Sequence, residues 1–308
     1  MSRKEEYLFR HPANPILRPE SIPGADALMN GCPFMYQGKI HLLQPVIWKG
    51  KEAPSMHVCV SEDGVNFTIN PEPFIQIATE ESDPRFHVDR WLIDPRITQI
   101  DDAYYIFRPG DSYLGTLAML DVTRDWKTVE HLGVHSLPMN RVPCLFPKTF
   151  NGRYARLDRP MGRAEGNLWI SWSEDLRYWG DHRHLSNGWA YWMGKKLGPC
   201  VPIQTDEGWL VIVHGVLDSC AGSRYSLGAM LLDLDHPEKI IGRMKSYILT
   251  PDRDYEFQGN VPNVVFACGA LAEPENDLLR VYYGAADTTM CLATGSLSQI
   301  VDACRKEL

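Results

Sequence analysis

Short apolar or aromatic stretches recur five times along the chain, and each follows a tight turn. The turns are rich in Gly, Asn and Asp, which suit the left-handed backbone of two-residue hairpin loops. The five pairs are Gln37-Gly38 before residues 40–43, Asp101-Asp102 before 104–107, Asn151-Gly152 before 154–157, Glu207-Gly208 before 209–213 and Asn276-Asp277 before 278–283. The pattern predicts five β-hairpins.

A second signal follows each hairpin: an apolar strand that runs into an acidic or polar turn. These turns are Ser61-Glu62-Asp63-Gly64, Thr123-Arg124-Asp125-Trp126, Ser173-Glu174-Asp175, Asp233-Leu234-Asp235-His236-Pro237 and a degenerate Thr294-Gly295-Ser296. With Asp63, Asp125, Asp175 and Asp235 as anchors, the spacings are 62, 50 and 60 residues, and Leu297 follows after 62 more. Two hairpin signals in each period predict one four-stranded sheet per repeat.

Five such sheets around one axis form a five-bladed β-propeller, which leaves only short, protected sheet edges. We therefore predict an all-β fold, with a β-sandwich of coincidentally regular turns as the alternative. No Pro-, Gly- or Ser-rich linker divides the chain, so residues 1–308 are interpreted as one propeller domain. A short C-terminal helix is expected, since Leu297, Ile300, Val301 and Cys304 share one helical face.

The composition of the chain limits the kinds of molecule that it is expected to bind. The net charge of −8 disfavours nucleic acid, because binding phosphate backbones needs a basic surface. The N-terminus lacks the apolar region of a signal peptide, and no apolar run approaches membrane-spanning length. The eight cysteines show no C-x-x-C and no metal-site spacing, so we expect reduced thiols in a cytoplasmic protein. The nine Trp and 13 Tyr residues serve blade packing or stacking on sugar rings.

Two copies of one tripeptide, Asp83-Pro84-Arg85 and Asp94-Pro95-Arg96, are candidates for acid chemistry. The second copy lies between apolar 91–93 and the strand-like 97–107, so Asp94 is at a strand entry, whereas the first copy falls in a charged loop. Because proline fixes the local backbone, a carboxyl held there suits a general acid. Asp-Pro turns are also common in purely structural loops.

Cationic side chains follow the ends of several predicted strands. If clustered, Arg141, Arg159, a lysine and His214 would bind a small dianion such as phosphate, since Arg offers paired donors and Lys a point charge. The alternative is that each pairs with a surface carboxylate. His182 and His184 could share a strand face, but they lack a third ligand, so no metal site is predicted.

Several longer motifs closely resemble glycoside hydrolase family 130, the β-mannoside phosphorylases and mannosidases. The resemblance extends from about Asn14 to the C-terminus and implies a five-bladed propeller. The motifs are Asp94-Pro95-Arg96-Ile97, Asn140-Arg141 with Leu145-Phe146-Pro147, Asn151-Gly152-Arg153-Tyr154-Ala155 with Arg159-Pro160, Glu207-Gly208-Trp209-Leu210 with His214-Gly215-Val216, Val261-Pro262-Asn263-Val264-Val265-Phe266, and Tyr282-Tyr283-Gly284-Ala285-Ala286-Asp287-Thr288.

The resemblance also implies residue roles. Asp94 matches the proton donor to the glycosidic oxygen, which in some members acts through a sugar hydroxyl. The phosphate-binding positions are matched by Arg141, Arg159, Lys195 or Lys196, and His214, and Tyr225 joins either the phosphate or the sugar site. Positions around the donor mannose are matched by Asn30, Phe266 and Asp287. The expected co-substrate is inorganic phosphate, with no cofactor.

The chain departs from the family pattern at three points. Phosphorylases usually place Asn-Gly where Val142-Pro143 stands here, which removes one polar phosphate contact and predicts weaker, more salt-sensitive phosphate binding. Arginines that many relatives carry near the donor sugar are replaced by Gln44 and Ser55. These departures leave the sugar and linkage specificity open.

Phosphorolysis is favoured over hydrolysis on physical grounds. An inverting hydrolase needs a second carboxylate to activate water, whereas phosphate carries its own charge and needs only cations to position it. Glu165, Asp218 and Asp287 are available as bases, but no signal marks any of them. We expect inverting phosphorolysis of a β-mannoside to α-mannose 1-phosphate and a shortened acceptor. An inverting β-mannosidase and a non-catalytic carbohydrate-binding propeller are the alternatives, and a homo-oligomeric assembly stays open.

Overall fold

In a computed structural model, which describes residues 7–50, 53–162 and 165–306, successive hairpins build five antiparallel sheets. The first strand of each sheet lies against the first strands of neighbouring sheets, so these strands surround the axis of the ring. The five-bladed propeller predicted from the repeats is confirmed.

The strands of each blade are given in order from the axis outward. Blade 1 contains Ala25–Leu28 with Cys32–Tyr36, then Lys39–Trp48, Ser55–Ser61 and Thr68–Ile69. Blade 2 contains Arg96–Ile100, Ala103–Ser112, Gly115–Thr123 and Glu130–Val134. Blade 3 contains Asn140–Phe150, Arg153–Gly162, Leu168–Ser173 and Gly180–Ser186. Blade 4 contains Lys196–Pro199 with Ile203–Thr205, then Gly208–Ser219, Gly222–Leu232 and Ile240–Arg243. Blade 5 contains Val265–Glu273, Leu278–Ala285, Thr289–Ser296 and Phe9–Arg10.

The ring closes in blade 5, where the N-terminal strand Phe9–Arg10 pairs with the C-terminal strand Thr289–Ser296. A buried ion pair supports this closure, since Arg10 Nε lies 2.7 Å from Glu256 Oε1. Blades 3 and 4 are joined by the two-residue strand Glu165–Gly166, which pairs with strands of both. The first and last described strands of the chain therefore share the sheet of blade 5.

Helical structure is confined to short segments. The predicted C-terminal helix is confirmed as Leu297–Lys306, and its apolar face is buried against blades 4 and 5. The other helical segments are Asp254–Phe257 and the 3₁₀ turns Pro19–Ser21, Tyr191–Met193 and Pro274–Asn276. None of the described helices is long and apolar enough to cross a membrane.

The acidic turns share one hydrogen-bond pattern, in which an Asp carboxylate accepts from the backbone N–H groups two and three residues later. Asp63, Asp125 and Asp175 make these bonds at 2.8 to 2.9 Å. In blade 4 the residue is Asp233, which accepts from the N–H of Asp235 and of His236. The choice of Asp235 as the repeat anchor is therefore wrong by two residues.

The blade order also determines where functional residues meet. Each blade repeats the same up-and-down order, so every first strand begins at the same end of the axis. Residues at these beginnings, such as Asn30, Asp94, Arg141 and Lys196, are therefore brought together from different blades.

Candidate active site

Asp94 lies immediately before the first strand of blade 2, with its carboxyl group at the axis. Its side chain is nearly fully buried, with Oδ1 accepting a hydrogen bond from Asn30 Nδ2 at 2.8 Å and Oδ2 one from Arg141 Nη2 at 3.1 Å. Its φ of 51° is in the left-handed region, which Asp tolerates better than most residues. Residues of blades 1 and 3 thus hold the carboxyl group of a blade 2 residue.

The duplicate tripeptide is in a different environment. The carboxylate of Asp83 pairs with Arg85 of its own tripeptide at 2.8 Å, outside the strands of blade 2. This ion pair lowers the pKa of the Asp83 carboxyl. The two copies therefore share a sequence but not a role, and only Asp94 faces groups from other blades.

Arg159 and His214 form the buried centre of the cationic cluster. Arg159 Nη1 lies 2.7 Å from His214 Nε2, and both side chains are almost inaccessible to solvent. Burial and the charges of Arg141 and Arg96 lower the pKa of Arg159 to about 9. Burial and the Arg159 charge also hold the pKa of His214 well below its usual range. His214 is therefore neutral, and its Nε2 accepts a hydrogen bond from Arg159. The crowded positive charges around this pair favour an anion.

The two neighbouring lysines face different surroundings, as expected for consecutive residues at a strand entry. Lys196 Nζ lies 3.3 Å from the hydroxyl of Tyr225, and burial together with the charge of Arg159 lowers its pKa. Lys195 Nζ instead lies 2.6 Å from the half-exposed carboxylate of Asp218. The structure places Lys196 in the cationic cluster and Lys195 at the surface beside it.

The residues expected around the donor sugar divide between Asp94 and the cationic cluster. Asn30 separates the two inner strand segments of blade 1. Burial and the charge of Asp94 raise the pKa of Asp287 to about 6, although a hydrogen bond from Asn30 opposes this rise. The ring of Phe266 lies 4.4 Å from that of His214, between their centroids. Asp94, Asp287 and Asn30 therefore form one group, and Phe266 adjoins the cationic cluster.

Gln44 and Ser55 make internal hydrogen bonds. Gln44 is fully buried, and its Nε2 donates to the carbonyl of Met29 at 3.1 Å. Ser55 Oγ accepts from Trp48 Nε1 and contacts His57 Nε2, both at 2.9 Å. Gln44 thus supports the segment that carries Asn30.

Val142 is unusual in its backbone and its contacts. A β-branched residue rarely adopts a left-handed φ, yet Val142 has φ 57°. Its side chain is fully buried in an apolar cluster that includes Ile97, Val264 and Phe266. An amide at this position would enter that apolar cluster, whereas the side chain of the preceding Arg141 lies beside Asp94.

A separate cavity of about 770 Å³ adjoins the site without containing the acid. Its walls include Trp169, Trp179 and Asn140, and the Asn140 side chain donates to Asp158 at 2.9 Å. The next residue, Arg141, contacts Asp94. Because consecutive strand residues face opposite sides, the cavity and the acid lie on different sides of the first strand of blade 3.

Sequence reasoning missed two residues of the site. Arg96 Nη1 donates to the backbone carbonyl of Asp94 at 2.6 Å, and Asp111 Oδ2 lies 3.8 Å from Arg141 Nη1. The third residue of the Asp-Pro-Arg tripeptide was a visible signal for Arg96, whereas nothing in the sequence marks Asp111. Among the residues that the structure describes, no group of three or more His, Cys, Asp or Glu side chains is placed to hold a metal ion.

Comparison with known proteins identifies relatives of the chain. A family model described as beta-1,4-mannooligosaccharide phosphorylase matches residues 49–306. The chain is 33% identical over 305 residues to a beta-1,4-mannooligosaccharide phosphorylase of Ruminococcus albus, covering 97% of this chain and 91% of that protein. It is 40% identical over 250 residues to a beta-1,2-mannobiose phosphorylase of Listeria innocua, covering 80% of this chain and 67% of that protein. A solved structure of beta-1,2-mannobiose phosphorylase from Listeria innocua, in complex with beta-1,2-mannobiose, matches with a TM-score of 0.86 and 30% identity, over 97% of this chain and 99% of that chain.

Proposed function

The chain belongs to glycoside hydrolase family 130, and from this membership and the geometry of its site we propose that it is an inverting β-mannoside phosphorylase. It transfers the terminal mannose of a β-mannoside to inorganic phosphate. The products are α-mannose 1-phosphate and an acceptor shortened by one mannose. The observation that carries the proposal is the cluster of basic side chains from blades 3 and 4 beside one buried carboxyl group of blade 2.

Asp94 acts as the general acid. A phosphate oxygen attacks C1 of the mannose while the bond from C1 to the acceptor oxygen breaks, and Asp94 gives its proton to that oxygen directly or through a sugar hydroxyl. Asn30 and Arg141 fix both carboxyl oxygens, so the group is held ready before substrate binds. Attack from the face opposite to the acceptor inverts the anomeric centre.

Phosphate binds to the cationic cluster. Arg141 and Arg159 supply paired donors, and Lys196 adds a point charge beside Tyr225. Neutral His214 can still donate from Nδ1, since its Nε2 faces Arg159. A dianion compensates charges that otherwise repel one another, which is why the buried Arg159 suits phosphate rather than a neutral sugar hydroxyl.

The arrangement of carboxylates supports phosphate over water as the nucleophile. An inverting hydrolase places its base across the sugar from its acid. Asp287 instead shares the Asn30 amide with Asp94, so it lies on the same side as the acid. Asp218 is half-exposed and paired with Lys195. Neither of these two carboxylates suits the role of a base opposite Asp94, and the side chain of Glu165, the third candidate, lies outside the described part of the chain.

One experiment tests which β-mannosidic linkage the protein cleaves and whether cleavage needs phosphate. The relatives are named for β-1,4- and β-1,2-linked substrates, so purified protein is incubated with β-1,2-mannobiose and β-1,4-mannobiose, each with and without phosphate. We expect loss of one disaccharide only when phosphate is present. Equal loss without phosphate indicates a mannosidase, and no loss of either disaccharide or of longer oligomers indicates a binding protein.

A further inference from the structure

One residue in or directly beside the first strand of each blade is buried near the axis, below the site. Each follows, two positions later in the chain, a residue that lies closer to the site. The pairs are Asn30 and Cys32, Asp94 and Arg96, Val142 and Cys144, Gly198 and Cys200, and Phe266 and Cys268. We call Cys32, Arg96, Cys144, Cys200 and Cys268 the axial layer.

The axial layer surrounds a buried charge with thiols. All five side chains are buried, with Arg96 only 1% exposed. Burial raises the pKa of the four thiols, and the nearby Arg96 charge opposes that rise in each. The thiols are therefore neutral neighbours that do not neutralise the guanidinium. A carboxylate in their place would compete for its donors.

Two residues of the axial layer hold the backbone of the site. Arg96 Nη1 donates to the carbonyl of Asp94 at 2.6 Å, and Cys268 Sγ donates to the carbonyl of Asn30 at 3.1 Å. Both Asp94 and Asn30 have left-handed backbones, with φ of 51° and 55°. The left-handed region is less favourable than ordinary backbone even for Asn and Asp, so such a conformation needs contacts that hold it.

Arg96 also contacts the phosphate side of the site. Its guanidinium carbon lies 5.5 Å from the centroid of the Phe266 ring, which in turn packs 4.4 Å from the ring of His214. The charge of Arg96 also contributes to the lowered pKa of Arg159 and of His214. Its described contacts are with the backbone of Asp94 and the ring of Phe266.

We propose that Arg96 is the positioning residue of the acid: its hydrogen bond to the Asp94 carbonyl maintains the left-handed backbone that directs the carboxyl group toward the glycosidic oxygen. The axial thiols form the neutral socket that keeps this guanidinium in place. The inference rests on the proposed function, because it assigns Arg96 a part in proton donation during phosphorolysis.

The test compares two leaving groups in one variant. Arg96→Lys keeps the charge but loses the planar fork of donors. Loss of a charged hydrogen bond should lower kcat for mannobiose phosphorolysis by about ten- to a hundred-fold. Phosphorolysis of 2,4-dinitrophenyl β-mannoside should fall by less than about threefold, since that leaving group needs no proton. Arg85→Lys, in the duplicate tripeptide, is the matched control and should leave both rates unchanged.

Each possible result either supports or overturns the positioning role of Arg96. Equal losses on both substrates, or wild-type kcat on mannobiose, would mean that Arg96 does not position the acid. If Arg96→Lys does not fold, Arg96→Gln provides a second planar donor, and the same selective loss is required of it. If neither variant folds, Arg96 is a folding residue and the inference is overturned. Wild-type protein that fails to turn over any mannoside in phosphate would instead contradict the proposed function.

Discussion

The guanidinium of Arg141 donates a hydrogen bond to the carboxylate of Asp94 over 3.1 Å. One side chain from blade 3 therefore contacts the candidate acid while it borders the candidate anion site, where its charge also acts on Arg159. Arg141 therefore connects the candidate acid, Asp94, with the proposed binding site of the phosphate nucleophile. Changes at Asp94, Arg141 and Arg159 should consequently affect the kinetics in different ways.

Asp94→Asn should remove the acid and keep the fold, since Asn tolerates the left-handed backbone and keeps the shape of the side chain. General acid catalysis contributes about 10² to 10⁴ in rate, so turnover of mannobiose should fall by that order. Circular dichroism and thermal melting would check the fold. Asp83→Asn is the matched control, and near-wild-type turnover by Asp94→Asn would remove this residue from the mechanism.

Arg159→Ala and Arg141→Ala should differ. Loss of a charged partner costs about 1.5 to 3 kcal/mol, so either variant should raise KM for phosphate by about ten- to a hundred-fold. Arg141→Ala should lower kcat as well, because it also frees Asp94, whereas Arg159→Ala should change mainly the phosphate KM. Arg183→Ala, at a half-exposed surface pair, is the control. An effect of Arg159→Ala on sugar KM alone would show that the cluster does not bind phosphate.

The adjacent lysines provide a matched pair. Lys196→Met should raise the phosphate KM by several-fold or more, because Lys196 adds its charge to a buried cluster. Lys195→Met should have a small effect, since Lys195 pairs with Asp218 at the surface, where solvent screens the interaction. Initial-rate kinetics at varied phosphate concentration measure both. The reverse order would assign Lys195 to the anion site.

The raised pKa of Asp287, about 6, predicts a pH-dependent contribution to stability. Folding favours the protonated form, so this stabilisation is present at low pH and is lost as the pH rises through about 6. Relative to wild type, Asp287→Asn should gain on the order of 2 to 3 kcal/mol in the free energy of unfolding between pH 4 and pH 7. Denaturant titrations at both pH values measure this difference. If the variant and the wild type differ in free energy of unfolding by the same amount at both pH values, folding does not raise the pKa of Asp287.

Local signals explain how far the fold could be predicted. Turns such as Asn151-Gly152 have φ of 49° and 79°, so the residue types alone indicate hairpins. The strand Glu165–Gly166 that joins blades 3 and 4 has no such signal, because two residues carry no periodicity. The error at Asp235 arose because Asp233 and Asp235 are both acidic, and only their hydrogen bonds show which of them caps the turn.

The site was predicted less completely than the fold. The resemblance to a family indicated Asp94 and the cations, but it could not choose between Lys195 and Lys196, since that choice depends on which side of a strand each faces. The axial layer was missed because its cysteines are more than 50 residues apart and meet only once the ring has closed.

The central claim is that phosphate, not water, accepts the mannose from Asp94-assisted cleavage. The most direct measurement follows a single reaction of the protein with a β-mannoside in phosphate buffer by proton and phosphorus NMR. We expect one phosphate consumed for each glycosidic bond cleaved, with α-mannose 1-phosphate and the shortened acceptor formed in equal amounts. Free mannose formed without phosphate consumption, or the β-anomer of the phosphate ester, would contradict it.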